Sequence, residues 1–389
     1  MFSGTYETFA TERVIYGKPA AAALAAEARR LGAERVFLVV SQTLERDTGW
    51  VDSMRQALGS RYAGSYSGVP SHTPRETVLE ASERARLNGA DLLVSFGGGS
   101  VTDTAKMMQL ALKHDLRHVE EFDRFVVRVK PDGTRHIPEY EGPDVRMIAI
   151  PTTLSGGEFN RTTGATDTRT KLKELYRHDL MVPRVVILDP AVTVRTPEWL
   201  WLSTGIRAFD HAVETICNMK ADPLAVEVAL LAVRLLAQAL PTSKADPGDM
   251  TARLNAQVAV WQSMEHNRQS ISMGASHGIG HVLGGTCDVP HGYTSCIMLP
   301  TVLRYNEPAN AERQAMIAAA MGRPGEPAWQ VAHDFIAGLG LPRRLADVGV
   351  GPNLFPRIAE AAMLDHYLHT NPRPIASTED IMDILRMAA

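Results

Sequence analysis

In the first half of the chain apolar residues gather in short solid blocks, and in the second half they recur at helical spacing. Val36–Val40 is wholly apolar and closes on Ser41-Gln42-Thr43, while residues 91–96 run straight into Gly97. Apolar blocks this short, bounded by turn residues, predict strands buried on both faces, as in a parallel sheet. Residues 13–17, 63–69, 145–150 and 184–188 read as further strands. Between them 20–31 (ended by Gly32), 52–58 and 74–87 (ended by Asn88-Gly89) read as helices. Strand, helix, strand with short connections predicts βαβ units. Residues 126–129 and 136–138 flank Lys130-Pro131-Asp132-Gly133-Thr134, which predicts a hairpin inserted in this half.

After Asp189-Pro190 the texture changes. Residues 205–218, 223–239, 247–268, 275–283, 309–321, 327–338 and 353–364 carry helical patterns, and strand signals almost vanish. The expectation is an α/β domain over residues 1–189 and an all-α domain over 190–389, with no internal repeat. A chain of 389 residues is long enough for two such cores.

Composition narrows the class. With 45% hydrophobic residues, 22% charged residues and a net charge of −4, the chain reads as an ordinary globular protein. No basic block points to nucleic acid or to acidic lipid. No apolar run approaches a membrane span, and Met1-Phe2-Ser3-Gly4-Thr5-Tyr6-Glu7 lacks an export pattern. Three cysteines, Cys217, Cys287 and Cys296, fit a reducing compartment better than a disulfide framework. A cytoplasmic protein with no nucleic-acid or membrane partner is expected.

The chemistry begins at Gly97-Gly98-Gly99-Ser100, between an apolar strand and a helix. Glycines let backbone approach a ligand closely, and N–H groups at the start of a helix attract an anion. Ser100 is expected to cap that helix and to offer its hydroxyl to the same phosphate. This predicts a dinucleotide pyrophosphate site, although the run is not G-x-G-x-x-G and follows a later strand. A second such connection, Pro151-Thr152-Thr153-Leu154-Ser155-Gly156-Gly157-Glu158, also follows a strand. With Ser41 the two loops would ring one crevice at the carboxyl ends of the strands. Ser41 has no charge to repel a 2′-phosphate, so NADH and NADPH both stay open. Plain turn hydrogen bonding is the alternative for Thr152 and Thr153.

Four histidines form the other candidate. His277 and His281 are four apart and share a helix face, and His291 lies in a Gly/Pro-punctuated turn expected to fold back toward them. His211 sits inside another helical pattern. Imidazoles ligate metals and act as general acids near neutral pH. One histidine alone is more often a satisfied polar niche; three converging make a candidate site.

Together these motifs resemble the iron-containing (group III) alcohol dehydrogenase family. The matching stretches are Gly97-Gly98-Gly99-Ser100-Val101-Thr102-Asp103-Thr104-Ala105-Lys106, the Pro151-Thr152-Thr153 loop, His211-Ala212-Val213-Glu214, the His277, His281 and His291 set, and Asn371-Pro372-Arg373-Pro374. The resemblance spans nearly the whole chain. It implies a Rossmann-like N-terminal domain, a helical catalytic domain, and dimers formed through the N-terminal edge strand. Ser41, Gly97, Gly98, Gly99, Ser100, Asp103, Thr152, Thr153 and Lys173 would hold the cofactor. The family's metal ligands are an aspartate and three histidines. The histidines fall on His211, His277 and His291, but the aspartate falls on Arg207.

That departure has consequences. A guanidinium has no lone pair for a metal, keeps its charge, and repels a dication. Asp210, turned about 100° from His211 around the helix, is not expected to substitute. The chain is similar here to the maleylacetate reductase branch, which lacks the aspartate and works without bound metal. It shares that branch's shortened Pro-Thr-Thr-x-x-Gly-x-Glu loop, but arginine is not the usual residue there. The expectation is therefore an NAD(P)H-dependent reductase acting on the carbonyl, or the adjacent C=C, of a small oxo acid, with no metal. His281 would protonate the oxygen beside His277, His291 and His211, and Arg207 would grip a carboxylate with two prongs. Arg207 pairing with Asp210 or Glu214 as a helix salt bridge is the plainer alternative. Arg161, Lys173, His266 and Arg373 are further cations that would line the crevice or simply face solvent. The rival function is a metal-dependent (Fe2+ or Zn2+) alcohol dehydrogenase acting on a small alcohol or aldehyde. Sugar-phosphate chemistry and a degenerate nucleotide-binding scaffold are more distant alternatives.

Overall fold

The solid apolar blocks become strands of one parallel sheet in a computed structural model, which describes residues 7–47, 49–129 and 135–389. In chain order the first compact unit, residues 8–128 and 135–196, holds β1 (Arg13–Tyr16), α1 (Ala20–Arg30), β2 (Val36–Val40), α2 (Gln42–Asp47) and α3 (Trp50–Leu58). Then follow β3 (Tyr62–Ser67), α4 (Arg75–Leu87), β4 (Leu92–Gly97), α5 (Gly99–Lys113), β5 (Arg128–Val129) and β6 (Arg135–His136). The unit closes with β7 (Arg146–Pro151), β8 (Thr162–Asp167), β9 (Leu172–Arg177) and β10 (Val185–Leu188). Strand order in the main sheet is β1-β10-β7-β4-β2-β3, and its neighbours run parallel.

The period-2 rule explains why the central strands are largely apolar on both faces. Phe37 and Val39 of β2 join Leu93, Met147 and Ala149 in a core under α4 and α5. Val36, Leu38 and Val40 join Val94, Ile148 and Ile187 in a second core under α1 and α3. Each central strand feeds two layers, which favours apolar residues on both faces; Ser95 of β4 is a buried polar exception.

Three details depart from the sequence reading. Ser41-Gln42-Thr43 is not an open loop, because residues 42–47 wind into α2. The first unit runs past residue 190 to Thr196: the Asp189 carboxylate accepts the Ala20 N–H at 2.7 Å, and the Thr196 hydroxyl donates to the Thr152 carbonyl at 2.7 Å. The antiparallel pair β8–β9 has no counterpart among the expected strands, since Thr-rich and Lys/Glu-rich segments carry little apolar signal. Arg75, fully buried, ties that pair down through Asp167 at 3.1 Å, Asp123 at 2.6 Å and Glu174. β5 and β6 pair with each other as expected, and the 130–134 turn between them lies outside the described residues.

The second unit, whose described residues are 7, 129 and 197–389, is helical over 197–389: α6 (Glu198–Cys217), α7 (Pro223–Ala245), α8 (Met250–Ser263), α9 (Ala275–Cys287), α10 (His291–Ala320), α11 (Ala328–Gly338), α12 (Phe355–Ala362) and α13 (Thr378–Met387). Asp222 and Asp249 accept the Ala225 and Ala252 N–H groups at 2.9 Å and so begin α7 and α8. By length and composition α7 is apolar enough to cross a membrane, contrary to the expectation that no run approaches a span. Half of its apolar window is buried inside the unit, as in a core helix. The span 291–308 is helical although its pattern does not announce a helix. Residues 294–300 are buried on every side, so they show no amphipathic period, and Pro300 and Pro308 mimic breaks. The helix kinks at Asn310, where φ is −147° and ψ is 36°. α13 is a further unexpected helix, despite its Ser377-x-x-Asp380 capping box.

Candidate active site

Within the first unit the two Gly/Thr loops leave adjacent strands. Gly97 pairs in register with Pro151, and the Ser41 N–H donates to the Phe96 carbonyl at 3.0 Å. Ser41, Gly97–Ser100 and Thr152-Thr153 therefore stand together at the carboxyl ends of β2, β4 and β7, as the sequence suggested. The glycines are dictated by this crowding. A Cβ on Gly97 would come within 2.8 Å of Val101, and one on Gly98 within 3.0 Å of Thr153. Ser100 does not cap α5: the N-cap is Gly98, and the start of this helix has no side-chain cap among the described residues. The Thr153 hydroxyl donates to Ser155 at 3.3 Å, which is turn bonding.

Asp103 and Lys173, both assigned to the cofactor from sequence, bind each other at 3.1 Å, and the Thr163 hydroxyl also donates to Asp103 at 2.9 Å. The pair fastens β8–β9 to α5. Sequence reasoning gave no role to Lys106, which is fully buried and donates to the carbonyls of Gly157, Asn160 and Thr162. Burial brings its pKa down to about 8, and the three carbonyls hold the second loop in place.

In the helical unit, α6 presents Arg207, Asp210, His211 and Glu214 at i, i+3, i+4 and i+7, one face of one helix. The rings of His211 and His277 lie 4.5 Å apart, and His266 stacks on His211 at 5.5 Å. Burial, followed by the Arg207 charge, holds His211 and His277 well below the usual imidazole range, so both are neutral. Burial holds His266 down to about 4; it is a neutral neighbour and not the cation expected. Among the described residues, His211 Nδ1, His277 Nε2 and Asp210 Oδ1 are buried without a hydrogen-bond partner.

Asp210 and Glu214 organise what surrounds these rings. The Glu214 carboxylate lies 2.8 Å from His277 Nδ1 and accepts the Gly274 and Ser276 N–H groups at 2.8 and 2.9 Å. Asp210, expected to point away, accepts the hydroxyls of Ser276 at 2.8 Å and Ser295 at 2.6 Å and lies 3.4 Å from His277 Nδ1. Burial raises the pKa of both carboxyls. Arg207 Nη1 donates to Ser295 Oγ at 3.0 Å and stays 3.9 Å from Asp210, so the Ser295 hydroxyl relays between the two charges. The plain helix salt bridge is therefore only a long contact.

His281 is partly exposed, and its Nδ1 lies 2.9 Å from Asp365. Tyr367 bridges the two α9 histidines, with ring centroids 5.4 Å from His281 and 6.2 Å from His277. His291 does not fold back in a loose turn. It is the first residue of α10, exposed, beside Gly284, where a Cβ would come within 3.1 Å of its ring. Arg161 pairs with Asp179 at 3.0 Å, and Arg373 lies 4.1 Å over the Tyr305 ring. Both are structural contacts. No local signal marked Asp365, Ser276 or Ser295.

Residues 11–190 match the iron-containing alcohol dehydrogenase family, and residues 201–389 match the C-terminal part of the Fe-containing alcohol dehydrogenase family. The dehydrogenase FUM7 of Gibberella moniliformis is 34% identical, covering 97% of this chain and 96% of its own. A maleylacetate reductase of Rhizobium sp. strain MTP-10005 is 31% identical over 95% of this chain and 94% of its own. The crystal structure of maleylacetate reductase from Agrobacterium tumefaciens superposes with a TM-score of 0.83 at 30% identity, covering 100% of this chain and 98% of that one. The chain therefore belongs to the iron-containing alcohol dehydrogenase family and is one of its NAD(P)-dependent oxidoreductases.

Proposed function

We propose that this enzyme uses NADH or NADPH to reduce the carbonyl of a small oxo acid, or the C=C beside it, without a bound metal. The observation that carries the reading is Arg207. Its guanidinium stands on α6, four residues before His211, where the resemblance calls for an aspartate ligand, and its Nη1 is anchored on Ser295. A permanent cation in that corner opposes a divalent ion and attracts a carboxylate. The unpartnered nitrogens of His211 and His277 would suit an ion, yet the fourth donor is missing and exposed His291 opens a different helix. The residues of the family's ligand positions do not fit a metal.

Bound nicotinamide supplies the hydride. The first unit contributes the uncapped start of α5 for the pyrophosphate, and Ser41 leaves both cofactors admissible. In the helical unit, Arg207 orients the carboxylate and His281 supplies the proton to the oxygen on which charge develops. The kinship with maleylacetate reductases supports an oxo-acid substrate. We further propose a cytoplasmic homodimer, supported by β1, which stands at the edge of the sheet with one partner strand among the described residues.

Asp210, Glu214 and His277 bring three donor atoms within 4.8 Å of one another, which favours the rival metal-dependent alcohol dehydrogenase. Those carboxylates already accept two serine hydroxyls and two backbone N–H groups, but Asp210 Oδ1 and His277 Nε2 are left without a partner among the described residues, so metal content is the deciding measurement. Arg207→Ala should lower kcat/KM for an oxo acid by about a hundredfold, as expected for a charged hydrogen-bonded contact. Elemental analysis of the purified enzyme should find substoichiometric iron and zinc, and chelators should leave its activity intact. Stoichiometric metal with activity lost on chelation would establish the rival.

A further inference from the structure

We infer that Asp365 is a positioning residue that makes His281 a proton donor. This deepens the reading above and rests on it for the role of His281. The two residues are 84 positions apart, one on α9 and one just before the turn His366–Thr370, and meet at 2.9 Å between Oδ2 and Nδ1. The carboxylate cannot swing away, because Oδ1 accepts the Tyr367 N–H at 2.9 Å. Asp365 is only 15% exposed; burial pushes its pKa up, but His281, the Tyr367 N–H and His366 together hold it below the usual carboxylate range. The His281 side chain is 37% exposed, and its ring lies beside Tyr367. Among the other groups near the pair are His366, 3.7 Å from Asp365, and Arg207, His211 and His277.

An acceptor-only carboxylate on Nδ1 requires a proton there. The ring then has one transferable proton, on Nε2 of the imidazolium. As the carbonyl carbon receives the hydride, the C=O π pair moves to oxygen, and that oxygen takes the Nε2 proton. The ring is left as the neutral Nδ1–H form, held by Asp365, and regains a proton from solvent. The net change is that one ketone, one NAD(P)H and one proton become one alcohol and one NAD(P)+.

Asp365→Asn tests this. The Asn oxygen can keep the Tyr367 N–H, which turns its NH2 toward Nδ1 and demands a lone pair there. The neutral ring then carries its proton on Nε2 and could release it only as an anion. With whichever carbonyl substrate the enzyme turns over, kcat should fall about a hundredfold. KM and thermal stability should change little, and 15N NMR should show the His281 tautomer reversed. Asp365→Glu should recover part of the loss. A drop in stability with unchanged kcat would make Asp365 merely a turn cap and overturn the inference. So would an unchanged kcat for both Asp365→Asn and His281→Ala. If Arg207→Ala spares oxo-acid turnover while Asp365→Asn cripples it, the dyad stands and the substrate assignment falls.

Discussion

Asp167 accepts hydrogen bonds from Arg169 and Arg75, and those contacts, Arg169 first, hold its pKa down to about 2. The folded value lies below the unfolded carboxylate's, about 3.9. Its contribution to stability is thus complete above about pH 4 and is lost as pH falls toward 2. Arg169→Ala should flatten that part of the profile, read as urea midpoints at pH 5 and pH 3; parallel curves for variant and parent would remove Asp167 from the account. Single residues also show where local reading stops. His277 and His281 are visible in the sequence because four-residue spacing is a property of any helix. Asp365 and Ser295 are not, because each reaches its partner across more than 80 positions.

Helix α10 carries its evidence in its packing. Gly292 lies so close to α6 that a Cβ would approach the Ser203 backbone to 2.6 Å. Backbone cannot yield as a side-chain tip can, so Gly292→Ala should cost about 1–3 kcal/mol by overpacking. Denaturant unfolding would read this as a lower midpoint at unchanged slope, and an unaltered midpoint would mean that the helices part freely. The same burial hides the element in the sequence. A helix covered on every side has no polar stripe, and Pro300 and Pro308 look like stops when neighbours are ignored. The β8–β9 pair is hidden for the opposite reason, since much of Leu172–Arg177 faces solvent and only Tyr176 of that strand is fully buried, beside the Arg75 that ties Glu174 down.

Across the chain the clearest expectation is linkage. NADH at a hundred times its Kd should add about 2.7 kcal/mol to stability and raise the unfolding temperature. Gly98→Ala, which crowds Thr153 beside the uncapped start of α5, should abolish that shift. A shift equal to the parent's would place the dinucleotide elsewhere. Alternating apolar blocks, helical periods and the glycine loop are legible in the amino-acid order itself, because periodicity and turn chemistry involve residues close together in the chain. They determine a parallel sheet followed by helices, and they locate the loops at strand ends. Folding alone settles the exposure of His291, the relay from Arg207 through Ser295 to Asp210, and the carboxylate behind His281. Those depend on which helix faces which, and packing, not local spacing, sets that.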